Sequence, residues 1–239
     1  MAQIVQQTAM QVPRETPNEL EQIQTKGWKI PPAPQDTEQW RLDRCGSVGA
    51  SEIADATRRL KNGSPAATRA SLMARKVAER LTGRPVRTFQ SQAMLEGLQK
   101  EPMARAAYEL KYGVAVTETG IVKHPSIQWT HASPDGFVGD DCVLEIKCPE
   151  HAAHLDTLLK CSIDPDYYIQ IQWQMECAER RWAHFVSYHP DFPPSMQMYV
   201  QKITWDQGLA QELRIGVITF LEEIEIKLKD LRQQYGETP

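Results

Sequence analysis

The 239-residue chain lacks any apolar run near the ~18 residues that a membrane-spanning helix requires, which excludes a helical membrane protein. It has only five cysteines, an odd number without framework-like spacing, and no secretory signal pattern. Reduced thiols and a cytosolic setting are therefore expected. It also lacks a positive excess: the formal net charge is −4, so this is not a protein coated in positive charge for unspecific nucleic-acid binding. Its distribution is uneven, however. Residues 41–87 hold eleven Lys and Arg against four Asp and Glu, either a local field suited to phosphate or a pair of solvated basic helices. Cys148, His151 and His154, with Cys161, could form a zinc group. No second close ligand pair exists beside them, and surface histidines are the simpler expectation.

What is present concentrates in Ser133-Pro134-Asp135-Gly136-Phe137-Val138 and Val143-Leu144-Glu145-Ile146-Lys147-Cys148-Pro149, joined by the polar turn Gly139-Asp140-Asp141. In a strand Glu145 and Lys147 share one face and Leu144 and Ile146 the other. The apolar pair can enter a core while the charged pair faces a cleft. A hairpin beginning at the Pro-Asp-Gly turn would return Asp135 beside Glu145. Two convergent carboxylates form an oxygen-rich site for a hard divalent ion such as Mg2+, and Lys147 would hold or deprotonate a water.

The remaining pattern predicts an α/β (α+β) fold with helices around a central mixed sheet. Residues 1–38, rich in Gln, Pro, Thr and Glu, are expected to be an irregular arm outside the active site, and 39–239 a single domain. Ser51 is placed as the cap of a short helix ending near Arg58-Arg59. A basic helix over 66–82 would turn Leu72, Val77 and Leu81 inward and stop at Gly83. A helix over about 90–112 contains Pro102, which kinks it or begins a second segment. Strands are expected at 114–123, 127–132, 136–138, 142–148, 182–189 and 196–204, with helices at 151–161 and 167–180. A final helix over 206–235 carries the stripe Leu213, Val217, Phe220, Ile224, Leu228 and Leu231, a core face.

Asp135 followed by Glu145-Ile146-Lys147 resembles the PD-(D/E)xK nuclease core, a weak signal alone. Three further segments raise its specificity: Trp40 through Arg44-Cys45-Gly46-Ser47-Val48-Gly49-Ala50-Ser51-Glu52, then Glu96-Gly97-Leu98-Gln99-Lys100-Glu101, then Tyr167-Tyr168-Ile169-Gln170-Ile171-Gln172-Trp173. In this order, over roughly 40–205, they resemble the phage lambda exonuclease family, which includes YqaJ-like viral recombinases within the PD-(D/E)xK nuclease superfamily. Three features depart from its pattern: the longer N-terminal arm, Glu96 where an aromatic would be accepted, and Pro102 directly after Glu101.

The resemblance implies restriction-endonuclease-like topology and two-metal phosphodiester hydrolysis with Mg2+, for which Mn2+ can substitute. Asp135 would bridge the ions, with Glu145, the Ile146 carbonyl and Glu101 completing the metal region. Gln170 would orient Lys147 or the attacking water. Arg44, Ser51 and Ser133 match positions that hold a 5′-phosphate, Met94 matches an apolar wedge or is a core methionine, and Lys61 is placed along the duplex. The implied activity is 5′-to-3′ digestion of one strand of linear duplex DNA to mononucleotides, leaving 3′ overhangs for recombination. Implied partners are DNA ends, a single-strand annealing protein and two further copies in a homotrimer ring, in the cytoplasm of a bacterial host. The alternatives are an endonuclease or RecB-like repair nuclease with the same core, a DNA-end binding module without hydrolysis, and a zinc-dependent interaction protein.

Overall fold

The computed structural model describes residues 33, 35, 37–59, 63–64, 66–87 and 91–236. The chain divides into Met1–Pro31 and Pro32–Pro239, and all described residues lie in the second unit. Most of the expected arm, and Lys61, lie outside the described residues.

In chain order, α1 (Glu38–Asp43) leads to β1 (Val48–Gly49), a 3-10 turn (Ala50–Glu52) and α2 (Ile53–Thr57). Next come α3 (Ala67–Thr82), α4 (Gln92–Tyr112), β2 (Val116–Thr117), β3 (Val122–Lys123), β4 (Thr130–Ala132), β5 (Gly136–Val138) and β6 (Cys142–Lys147). The chain continues with α5 (His151–Lys160), α6 (Pro165–Ala178), β7 (Trp182–Tyr188), β8 (Met198–Thr204) and α7 (Gln207–Tyr235).

The strands form two sheets rather than the single one expected. Five strands run in the order β2-β5-β6-β7-β8, and three in the order β1-β4-β3. The expected strand at 114–123 splits at Glu118-Thr119-Gly120-Ile121, so that β2 joins the larger sheet and β3 the smaller. In the larger sheet β6 and β7 are parallel and the other pairs antiparallel. A parallel pair needs a crossover, which α5 and α6 supply.

Strand β6 is buried on both faces. Leu144 and Ile146 pack with Ala104 and Tyr108 of α4, while Val143 packs with Ile171 and Met175 of α6. Helix α6 starts at the cap Asp164, with Pro165 in its first turn, and Gln170–Cys177 is buried around the whole helix. It lies against β6 and β7 and against the 3-10 turn, β3, β4 and α7. The α7 stripe is a core face as expected, with Leu213, Val217, Phe220, Ile224 and Leu228 buried beside Trp173.

Four sequence expectations change. Leu81 is 41% exposed, beyond the stripe formed by Leu72 and Val77. Ser51 caps no helix, because the 3-10 turn has Gly49 at its N-cap and α2 has Glu52. Pro102 starts no second segment, since α4 runs through it. The basic helix is neither a solvated face nor a free phosphate field. Arg69 forms a two-point pair with Glu223, Lys76 is buried between Glu52 and Glu79, Arg75 bonds Glu52, and Arg80 pairs with Glu225. Gly83 ends the helix as expected, with φ 63°.

Lys76 is the shared cation of buried Glu79 and half-buried Glu52, so removing it leaves uncompensated charge in the interior. Lys76→Ala is expected to lower unfolding stability by about 3–5 kcal/mol, measured by urea denaturation.

Candidate active site

The β5–β6 hairpin pairs Gly136 with Leu144 and Phe137 with Val143, which brings Asp135 opposite Glu145. Asp135 Oδ2 accepts from the Ile146 backbone N–H at 2.6 Å. Glu145 is 1% exposed, yet its carboxylate is well supplied with donors. Gln170 Nε2 donates to Oε1 at 2.6 Å, Gln174 Nε2 to Oε2 at 2.5 Å, and Lys147 Nζ lies 2.6 Å from Oε1. Gln170 thus holds Glu145 rather than Lys147. Gln172, the other glutamine of the motif, points away and ties α6 to the start of α7, donating to the Thr204 carbonyl and accepting from Asp206 N–H.

Glu101 reaches this group from α4, where it accepts from Arg105 at 2.7 Å. Gly97 explains the approach: a β-carbon there would lie 3.3 Å from the Cys148 carbonyl, so a larger residue would push α4 off the end of β6. Arg105 also pairs with Glu118 at 2.6 Å, which fixes it between two carboxylates. Pro102 does not carry Glu101 away. Its charge is felt by Asp135, and it feels Glu145 and Lys147 in turn.

The electrostatics follow from this crowding. Burial, then the charges of Glu145 and Glu101, hold the Asp135 carboxyl well above the usual range. Burial raises Glu101 as well, with Arg105 offsetting part of the effect and Glu145 adding to it. For Lys147, burial acts downward, but Glu145 and Asp135 outweigh it and raise the amine above its ordinary value. In this arrangement the Lys147 amine is a charged donor to Glu145. Among the described residues the three carboxylates do not close to within 4.8 Å of one another, each being held by its own donors. Excess buried negative charge among oxygen donors fits a hard divalent cation, with Asp135 and Glu145 as the direct candidates to hold it.

The cleft at these groups has a volume of about 170 Å³ and is also lined by Trp40, Arg44, Gly49, Ala50, Ser51, His131 and Ser133. Arg44 lies 4.0 Å from the Trp40 ring centroid, and its Nε donates to His131 Nε2 at 3.1 Å. Because a guanidinium only donates, His131 must accept there and direct its Nδ1–H to Ser47 Oγ, 2.8 Å away. Burial, then Arg44, pushes His131 down to about 3, so it stays neutral and serves as a fixed acceptor. A β-carbon on Gly49 would lie 3.2 Å from His131 and 3.3 Å from Arg44, so glycine leaves room for this pair. Ser133 Oγ is buried without a hydrogen-bond partner among the described residues, and Ser51 is exposed.

Sequence reasoning missed His131, Gln174 and Gln35. Gln35, from the stretch expected to lie outside the site, lines the cleft and donates to the Pro134 carbonyl at 3.0 Å. Gln174 follows Gln170 by one helical turn, a spacing that could have revealed it. Met94 is 57% exposed on the first turn of α4, which rules out a core methionine, and it does not line the cleft. The group Cys148, His151, His154 and Cys161 does not form. His154 is committed to Ser187 and the Met196 carbonyl, each at 2.8 Å, and the Cys161 thiol faces the Leu158 carbonyl of its own helix.

A carboxyl raised on folding stabilises the protein fully below its unfolded pKa, and that contribution is lost as pH rises through the folded value. The metal-free protein should therefore lose melting temperature as pH climbs above about 4, the unfolded Asp value. Asp135→Asn should flatten this slope, and Mg2+ should restore wild-type stability near neutral pH. Differential scanning calorimetry across pH checks both.

Residues 39–181 match the YqaJ-like viral recombinase domain family. Among solved structures, the chain is similar to the alkaline exonuclease LHK-Exo from Laribacter hongkongensis, at 39% identity, TM-score 0.78, over 84% of this chain and 99% of that one. LHK-Exo in complex with dAMP aligns at 38% identity and TM-score 0.79, with the same coverage. A phage-related exonuclease from Haemophilus somnus 129PT shares the fold at 15% identity and TM-score 0.64, over 77% of this chain and 96% of that one. Comparison with curated proteins finds no match.

Proposed function

This chain belongs to the YqaJ-like viral recombinase family and has a nuclease role, and from that premise we propose that it is a Mg2+-dependent exonuclease acting 5′ to 3′ on linear duplex DNA. The observation that carries the proposal is one cleft lined by Asp135, Glu145 and Lys147 together with Arg44, Ser51 and Ser133. A phosphodiester bound along it would meet carboxylates at one phosphate and cationic and hydroxyl donors at the next.

Bound divalent ions, two in the full proposal and Mn2+ in place of Mg2+ when supplied, would generate a hydroxide and stabilise charge on the attacked phosphate and the leaving 3′-oxygen. Asp135, Glu145 and the Ile146 carbonyl are the proposed ligands, with Glu101 supporting them from α4. Gln170 and Gln174 fix the Glu145 carboxylate, so its lone pairs are aimed before substrate arrives. Lys147, kept protonated, donates to the attacking water or a phosphate oxygen. Arg44 is oriented by His131 and Trp40 to grip a terminal 5′-phosphate, aided by Ser51 and the unpartnered Ser133 hydroxyl. Holding that terminus one nucleotide from the scissile bond gives mononucleotide products and 5′-to-3′ polarity. The relative's complex with dAMP, a deoxynucleoside monophosphate, supports the product assignment. Exposed Met94 suits the wedge at the strand junction. Family membership further supports 3′ overhangs for recombination, a ring-shaped homotrimer and an annealing protein as partner.

Digestion of end-labelled linear duplexes is the test. Mg2+-dependent mononucleotide release from phosphorylated 5′ ends is expected, suppressed by chelator and reduced at least about 100-fold by Lys147→Ala. Cleavage of closed circles, or end binding without any Mg2+-dependent product, would overturn the proposal.

For the phosphate pocket, Arg44→Ala should cut the preference for 5′-phosphate over 5′-hydroxyl ends by about 10- to 100-fold, the range for a charge-assisted hydrogen bond. His131→Ala should weaken the same preference less, through loss of Arg44 orientation, with turnover on 5′-hydroxyl ends little changed. Initial rates on paired substrates measure both.

A further inference from the structure

Among the described residues, one group of side chains places metal-ligand atoms of three residues within 4.8 Å of one another: His151, His189 and Asp191. It lies at the C-terminal ends of the parallel strands β6 and β7 and shares no residue with the carboxylate cluster. His151 opens α5, and His189 and Asp191 follow β7. We propose that His151, His189 and Asp191 form a second metal site, one that takes a borderline transition-metal ion of the Zn2+ class rather than Mg2+.

Ligand chemistry gives the ion class. Two imidazoles and one carboxylate are a nitrogen-rich set that suits Zn2+, whereas Mg2+ selects oxygen. His151 Nε2 lies 3.4 Å and His189 Nδ1 4.0 Å from Asp191 Oδ2, and the two imidazole centroids are 4.1 Å apart. Modest contraction would bring the three ligands around one ion.

His189 is the buried member of the group, 0% exposed. Its Nδ1, the nitrogen facing Asp191, receives only a long 3.3 Å contact from Asp191 N–H, and among the described residues its Nε2 has no hydrogen-bond partner. Coordination through Nδ1 would replace that weak contact and leave the ring proton on Nε2. Burial, then His151, lowers its basicity, while Asp191 opposes the added effect of Lys100 on α4. The loop is braced for such a role: His189 N–H donates to the Gln197 carbonyl, and Gln197 Nε2 to the Pro190 carbonyl at 2.7 Å. Phe192 packs against all three imidazoles of the region, shielding one side. His154 does not join, because both its nitrogens are occupied. The bound ion would clip the N-terminus of α5 to the β7–β8 loop, beside the strand ends that carry Lys147 and its cross-strand neighbour Ser187.

The test uses the full chain carrying Asp135→Asn, which disables the carboxylate cluster, with and without His151→Ala plus Asp191→Ala, both at exposed side chains. Zn2+ is measured by equilibrium dialysis, and Co2+ by its visible absorption. The Asp135→Asn protein should hold one equivalent of either ion, with the spectrum of nitrogen ligation and a raised melting temperature. The added pair of substitutions should weaken binding at least about 100-fold. Absence of binding in Asp135→Asn, or equal binding after the added substitutions, would overturn the site and leave a surface ion pair. Mg2+-dependent digestion by the His151→Ala, Asp191→Ala protein with Asp135 intact reports separately on the nuclease.

Discussion

The fold is organised around a carboxylate that has almost no access to water. Burying a charge costs several kcal/mol unless hydrogen bonds and an opposite charge surround it. Glu145 meets that condition through residues from two separate elements, Gln170 and Gln174 of α6 and Lys147 of its own strand. The requirement explains why α6 is buried around its whole surface and carries amides in the interior. It also explains why β6 lies centrally, with apolar residues entering clusters on both faces. Asp135 and Glu101 then add negative charge that the protein's own cations do not fully balance. A metal ion is the natural counterpart.

The part of the cleft that Arg44 lines depends on a second ionic group. Glu52 and Glu79 share Lys76, Arg75 bonds Glu52, and Glu79 accepts from Gly46 N–H at 3.0 Å. This network fixes the chain between Arg44 and Glu52, whose shape presents Arg44 to the cleft. Positive charges that could have formed an exposed field are spent on holding that loop. Positive potential near the cleft is therefore local and directed, in keeping with an overall charge of −4.

Much of this was legible in the chain because it follows short-range rules. Alternation along Val143–Lys147 sorted its side chains, and the Pro-Asp-Gly turn returned Asp135 to Glu145. The helical stripe from Leu213 to Leu228 marked a core face correctly. What escaped depends on contacts distant in sequence. The two-residue strand β1 has no periodicity to detect, and its partner Thr130 lies far along the chain. His131 carries no motif, since its importance comes from standing between Arg44 and Ser47 in space. Gln170 was expected to orient Lys147 or a water, and the structure has it donate to Glu145, because helix periodicity gives a facing direction and not which neighbouring group is reached. The pairing of Arg69 and Arg80 in the basic helix escaped because their acidic partners Glu223 and Glu225 come from the far C-terminal helix.

The central claim is that the crowded carboxylates around Glu145 are a divalent-metal centre held by the protein's own donors until an ion arrives. Crystals soaked in Mn2+ and measured at its absorption edge test this directly. The account predicts anomalous density between Asp135 and Glu145, with the Lys147 amine withdrawn from Glu145 Oε1 and both glutamine bonds kept. Absence of density there at saturating Mn2+, with Lys147 still on Glu145, would contradict it and make the cluster a structural ion pair.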